Sequence, residues 1–128
     1  MTPSVIQRWI DIIEDEGTPQ LDDLLAPDVV FYSPAVFTPQ RGRAVTSAYL
    51  TAAAKLFGGA EFRYVGHWYG DRSAVLEFTA NIDGIQVNGV DMIEWNDDER
   101  ILSFKVMLRP FKALQTVMPK MAELLKTP

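Results

Sequence analysis

The chain has 128 residues, enough for one domain with a sizeable core, and its 48% hydrophobic and 23% charged residues are ordinary for a globular protein. A net charge of −5 is not the basic balance that a nucleic-acid or anionic-membrane surface requires. The absence of cysteine excludes disulfides, thiolate nucleophiles and cysteine-held metals. With one histidine, a zinc site would have to be built almost wholly from carboxylates, so neither metal nor cofactor is expected.

The opening segment, MTPSVIQRWIDIIEDEG, carries acids and no long apolar run. It suits neither a membrane span nor an export signal, and a cytoplasmic location is the default expectation. Residues 4–16 have helical spacing: Val5, Ile6, Trp9, Ile10, Ile12 and Ile13 fill one face, and Gln7, Arg8, Asp11, Glu14 and Asp15 the other. Gly17 is a stop signal. Residues 19–25 read as a short second helix, with Pro19 suited to its first turn. Pro27 ends it, and DVVFYSP is a short strand closed by Pro34. Residues 35–43 hold a proline, a glycine and no period, which predicts a loop. Residues 44–57 form an alanine-rich third helix, with Val45, Tyr49, Leu50 and Leu56 at helical spacing and Gly58-Gly59 as its stop.

The period then switches to two. Residues 62–70, 73–82, 85–96 and 100–108 read as four strands, joined at Gly70-Asp71, Asp83-Gly84 and Asn96-Asp97-Asp98-Glu99 by hairpin chemistry. FKALQTVMPKMAELLK closes the chain as an apolar helix, bent or restarted at Pro119. Residues 1–128 are thus one α+β domain: helices, an antiparallel meander, then a closing helix.

Alternation separates the two sheet faces. Leu76, Phe78, Ala80 and Ile82 oppose Glu77, Thr79 and Asn81; Leu102, Phe104, Val106 and Leu108 oppose Ser103, Lys105, Met107 and Arg109. In the third meander strand, Val87, Gly89, Asp91, Ile93 and Trp95 take the apolar side, because the opposite set contains Asn88, Glu94 and Asn96. In the first, Phe62, Tyr64 and Trp68 are the better inner set, which leaves His67 outside. Asp91 is then the lone ionisable group on an otherwise apolar face. An isolated ionised carboxylate is costly there, so it is neutralised or hydrogen-bonded. Three readings stay open at this level. Asp91 is a buried catalytic acid or hydrogen-bond donor. It is a structural carboxyl that bonds a buried amide or the Trp9 indole. Or the strand phase slips at Gly89 and the carboxyl is solvated.

The order helix, short helix, LLAPDVVFYSP, a loop ending in RGR, an alanine-rich helix, four strands and VMLRP resembles the nuclear transport factor 2-like superfamily. It is similar to the SnoaL-like branch in particular, which lies near ketosteroid isomerase. LDDLLAPDVVFYSP and GVDMIEWNDDERILSFKVMLRP carry most of the likeness, and it covers nearly the whole chain. It implies a curved antiparallel sheet wrapped by the N-terminal helices into a cone with an internal pocket, a cystatin-like fold. It does not imply one activity, since the fold hosts isomerases, cyclases, hydrolases, dehydratases and binders. Against ketosteroid isomerase, Asp91 matches the protonated oxyanion-hole aspartic acid. Ser33 stands where that family has its general base, and Trp9 where it has its tyrosine.

The enzyme reading has Asp91 as acid or base acting on an apolar cyclic or polyketide-like substrate, with Trp9 and Tyr64 orienting it. Phe31, Ser33, Leu76, Phe78, Val87, Phe104 and Val106 would complete the pocket. The binding reading has the same cone holding an apolar molecule, or serving only to dimerise. His67, the only imidazole, is read as a surface or interface residue. Arg41 and Arg43 flank Gly42 ahead of a helix, where surface capping is their commoner role and anion binding the rarer one. Arg109 is expected to brace the sheet edge to an acid. Val75, Val90, Met92 and Met107 on the outer sheet face suit a homodimer interface.

Overall fold

The computed structural model describes residues 1–15 and 20–126. Helix α1 (Ser4–Asp15) presents the apolar stripe its spacing requires: Val5, Ile6, Trp9 and Ile12 are buried. The stop at Gly17 and the first-turn role of Pro19 lie outside the described residues. Helix α2 (Leu21–Leu24) is a single turn, shorter than its sequence suggests, and buries Leu21 and Leu24. Strand β1 (Leu25–Tyr32) begins earlier than Pro27 implies. The chain accommodates that proline in an irregular stretch of the β1 pairing between Leu25 and Val30, where it need donate no ladder hydrogen bond. The segment read as a loop contains a two-residue edge strand, β2 (Gln40–Arg41). Helix α3 (Arg43–Phe57) follows, and buries Thr46, Leu50, Ala52, Ala54 and Phe57.

The meander comprises β3 (Arg63–Tyr69), β4 (Ser73–Ile82), β5 (Ile85–Trp95) and β6 (Ile101–Arg109), and helix α4 (Phe111–Lys126) closes the chain. Pro119 lies within α4, which continues past it. Among the described residues the strands form one six-stranded sheet in the order β2-β1-β6-β5-β4-β3. Only β1 and β6 pair in parallel; the other neighbours are antiparallel. The sheet is curved and does not close, so the helices complete the cone.

Strands β4 and β5 keep the register that alternation predicts. Leu76 opposes Asp91, Phe78 opposes Gly89 and Ala80 opposes Val87, with all six buried. Two bulges shift the phase elsewhere. In β3, Tyr64 opposes Phe78, but Gly66 opposes Glu77, so Val65 is an extra residue. His67 and Tyr69 therefore share the side of Leu76 and Ala74, and Trp68 joins Val75 on the outer face. This reverses the sequence-based placement of His67 and Trp68, since one inserted residue flips every side chain beyond it. In β6, Ser103 opposes Glu94 while Ile101 opposes Trp95, which makes Leu102 the extra residue. Ile101 is fully buried as a result, and Leu102 turns outward.

The core has two lobes. One joins α1, α2 and β1 to Leu76, Ile93, Trp95, Ile101 and Phe104. The other gathers Phe57, Phe78, Ile82, Val87, Ala113 and Val117 under α4. Burying each large side chain contributes roughly 1.5–3 kcal/mol, and the rings add specific geometry. Trp9 meets Phe104 edge-on at 4.9 Å, and Phe31 stacks on Tyr49 at 4.8 Å.

Candidate active site in the cone

Gly89 is where backbone conformation and site meet. A Cβ there would lie 2.6 Å from Cζ of Phe78 and 2.7 Å from the carbonyl oxygen of Met107. Glycine lets the Phe78 ring lie across β5 beside Asp91. Two residues on, Asp91 points to the same side of β5, 6% exposed, as its phase requires. Of the three readings, solvation by a slip at Gly89 is removed.

The partner of Asp91 comes from β3. Tyr64 reaches over β4, and its hydroxyl donates a 2.6 Å hydrogen bond to Oδ2 of Asp91. The Trp9 indole N–H from α1 donates to the Tyr64 oxygen at 2.8 Å. The structural reading had the indole bonding Asp91 itself; Tyr64 stands between them. The result is an ordered chain of donors running from Trp9 through Tyr64 to the carboxyl. Oδ1 of Asp91 has no hydrogen bond among the described residues.

Burial raises the Asp91 carboxyl from its ordinary value of 3.8 to about 7; the Tyr64 hydrogen bond opposes this, because it favours the ionised form. Tyr64 is itself pushed well above 10.0, first by burial and then by the nearby Asp91 charge. Near neutral pH, Asp91 is thus divided between a form that donates a proton and one that accepts it. Tyr64 stays a phenol.

Asp91 lines a small cavity of about 40 Å³, whose other walls include Trp9, Phe31, Phe78, Phe104 and Val106. A larger cavity of about 270 Å³ lies between β1, α3 and α4, lined by Ser33, Val36, Tyr49, Val117, Met118 and Met121 among others. It opens at the surface by Val36 and Leu125, which are 46% and 36% exposed. Phe31, Ala53, Phe57 and Val106 line both cavities. Among the described residues, Asp91 is the only carboxyl on either.

Of the sequence-selected residues, Asp91, Trp9, Phe31, Phe78, Phe104 and Val106 meet around the small cavity, and Ser33 lies on the larger one. Tyr64 lines neither cavity and acts through Asp91. Leu76 and Val87 line neither cavity and pack in the core of the first and second lobes. Phase alone cannot tell a cavity wall from core, because both face inward. Alternation within strands also missed the contribution of α4, although its apolar MPKMAELL run was visible. Ser33 brings a hydroxyl and no carboxylate, and that hydroxyl accepts the Ala35 amide N–H at 3.1 Å. Arg109 reaches its acid only indirectly: it donates to Asn88, which donates to Glu77.

A curved sheet closed by helices around an apolar cavity, with one buried carboxyl, defines a nuclear transport factor 2-like cone. The sequence matches the profile of the SnoaL-like domain over residues 6–104, and the chain belongs to that family. Similar solved structures include a steroid delta-isomerase from Pseudomonas aeruginosa, 34% identical, with a TM-score of 0.91 over 97% of this chain and 90% of the other. An uncharacterized protein with a cystatin-like fold from Silicibacter pomeroyi is 27% identical, with a TM-score of 0.88 over 97% and 86%. A ketosteroid isomerase-like fold from Catenulispora acidiphila, in complex with trimethylamine, is 16% identical, with a TM-score of 0.68 over 91% and 93%, a likeness of fold. No curated protein sequence gives a significant match. Among the described residues no helix is long and apolar enough to cross a membrane.

Proposed function

We propose that this protein binds a small apolar molecule bearing a carbonyl-type oxygen in the cone, with Asp91 as the acid/base group. The observation that carries this reading is the buried Asp91 carboxyl, held by Tyr64 at 2.6 Å and facing an apolar cavity. Neutral, it donates to a ligand oxygen; ionised, it takes a proton. Both states are accessible because burial brings the group to about 7. The likeness to a steroid delta-isomerase supports chemistry of isomerase type, and cyclase or hydrolase chemistry with a bound water would use the same carboxyl. Ser33, whose hydroxyl accepts the Ala35 amide N–H and is not a carboxylate, favours chemistry run by one carboxyl over a mechanism with a separate base. The test is turnover of unsaturated and cyclisable ketones by the Asp91→Asn variant. Loss of at least about 100-fold is expected for a removed acid/base group; unchanged turnover removes Asp91 from the chemistry.

Among the described residues no carboxyl besides Asp91 lines either cavity, which favours a second reading, a binding protein without chemistry. Ligand-dependent stabilisation with no product from any ketone would select it. The outer sheet face supports a homodimer under both readings. Trp68, Val65 and Met107 are 59%, 50% and 52% exposed, apolar side chains that a second copy would cover.

A further inference from the structure

The two cavities differ in what they admit. A dry apolar cavity of roughly 150 Å³ takes a benzene ring. The outer cavity, at about 270 Å³, exceeds that size, whereas the chamber at Asp91, about 40 Å³, is far below it. One or two heavy atoms can enter the chamber, and a ring cannot. Four residues line both cavities: Phe31 from β1, Ala53 and Phe57 from α3, and Val106 from β6. Three of these are bulky. Ala53 is the small one. The walls differ as well. Phe78, Phe104 and Trp9 around the chamber are fixed by buried ring contacts, with Trp9 against Phe104 at 4.9 Å and Phe78 against Phe57 at 5.7 Å. Met118 and Met121 on the outer cavity are unbranched and adaptable. The outer cavity can therefore adjust to the ligand's body, while the chamber holds one shape.

We propose that the constriction of Phe31, Ala53, Phe57 and Val106 selects ligands by the width of their polar end. The ligand class is an elongated apolar molecule ending in an unbranched carbonyl, such as a methyl ketone or aldehyde. Its oxygen reaches Oδ1 of Asp91, and its body lies against α4 in the outer cavity. This rests on the reading of Asp91 as the ligand's hydrogen-bonding partner. A ring-borne ketone stops in the outer cavity, short of the carboxyl.

Three probes separate the possibilities: 2-decanone, its carbon-matched cyclic counterpart 4-tert-butylcyclohexanone, and decane. Affinities for the intact protein are measured by isothermal titration at about pH 5, below the raised Asp91 value, where the neutral carboxyl is the donor. A ligand that reaches the carboxyl gains one buried hydrogen bond, so 2-decanone is expected to bind about tenfold tighter than either other probe. Asp91→Leu brings all three to within about threefold of one another. Ala53→Leu plugs the constriction: 2-decanone falls to the affinity of decane, and decane still binds. Val106→Ala widens it, and the cyclic ketone gains most of the tenfold. Equal binding of the two ketones, with both weakened by Asp91→Leu, overturns the width filter and leaves the Asp91 reading standing. Equal binding of 2-decanone and decane to the intact protein overturns that reading and the filter with it. The same holds if no probe binds.

Discussion

Replacing Asp91 by asparagine keeps the side chain's shape and removes its titration. In the unfolded chain the carboxyl has its ordinary value of 3.8; in the folded chain burial raises it to about 7. Between these values the folded protein holds a proton that the unfolded chain releases, so folding stability falls as pH rises. Each tenfold difference in proton affinity is worth about 1.4 kcal/mol, so ionising Asp91 in place costs the fold on the order of 4 kcal/mol. Below the unfolded value that cost is absent, and above the folded value it is complete. The assay is urea unfolding followed by tryptophan fluorescence, for both proteins, from about pH 4 to about pH 9. The difference between them isolates residue 91, because every other carboxylate is common to both. The parent is expected to lose on the order of 4 kcal/mol relative to Asp91→Asn across that range, mostly below about pH 7. A flat difference would mean a carboxyl that titrates as in water, and a difference of opposite slope would mean one stabilised in its charged form.

Tyr64→Phe removes the hydrogen bond that favours the ionised carboxyl, so the pH at which that stability loss is complete moves above about 7; a fall would refute the assigned donor direction. Gly89→Ala places a Cβ 2.7 Å from a backbone oxygen that cannot rotate away, and unfolding should show a loss of roughly 1–3 kcal/mol. Trp68→Asp charges the outer sheet face, and sedimentation should show a dimeric parent and a monomeric variant with an unchanged far-ultraviolet spectrum. A monomeric parent would end the dimer proposal.

Much of the fold was legible because β4 and β5 alternate without interruption over long stretches. Asp91 stood out for that reason, and its burial followed from its neighbours. The bulges at Val65 and Leu102 were not legible, because an inserted residue leaves the composition of a strand unchanged while reversing its phase. Gly66 beside the first was the available signal, since an isolated glycine in a strand marks a bulge. The hydrogen bond from Tyr64 to Asp91 crosses an intervening strand, so no local pattern contains it. The outer cavity was hidden for a different reason: it arises where α4 spans from the sheet to α3, and the volume left between elements is not a property of any one of them.

In the proposed binding mode the Asp91 carboxyl meets the oxygen of an apolar ligand inside the cone. The most direct measurement is the infrared carbonyl stretch of labelled 2-decanone bound to the protein at about pH 5, where Asp91 is neutral. Hydrogen bonding weakens the carbonyl bond, so the band should lie below its position in an alkane solvent and return there in Asp91→Leu. A bound ketone that absorbs as it does in alkane, with Asp91 intact, would show that the carboxyl does not meet the ligand oxygen.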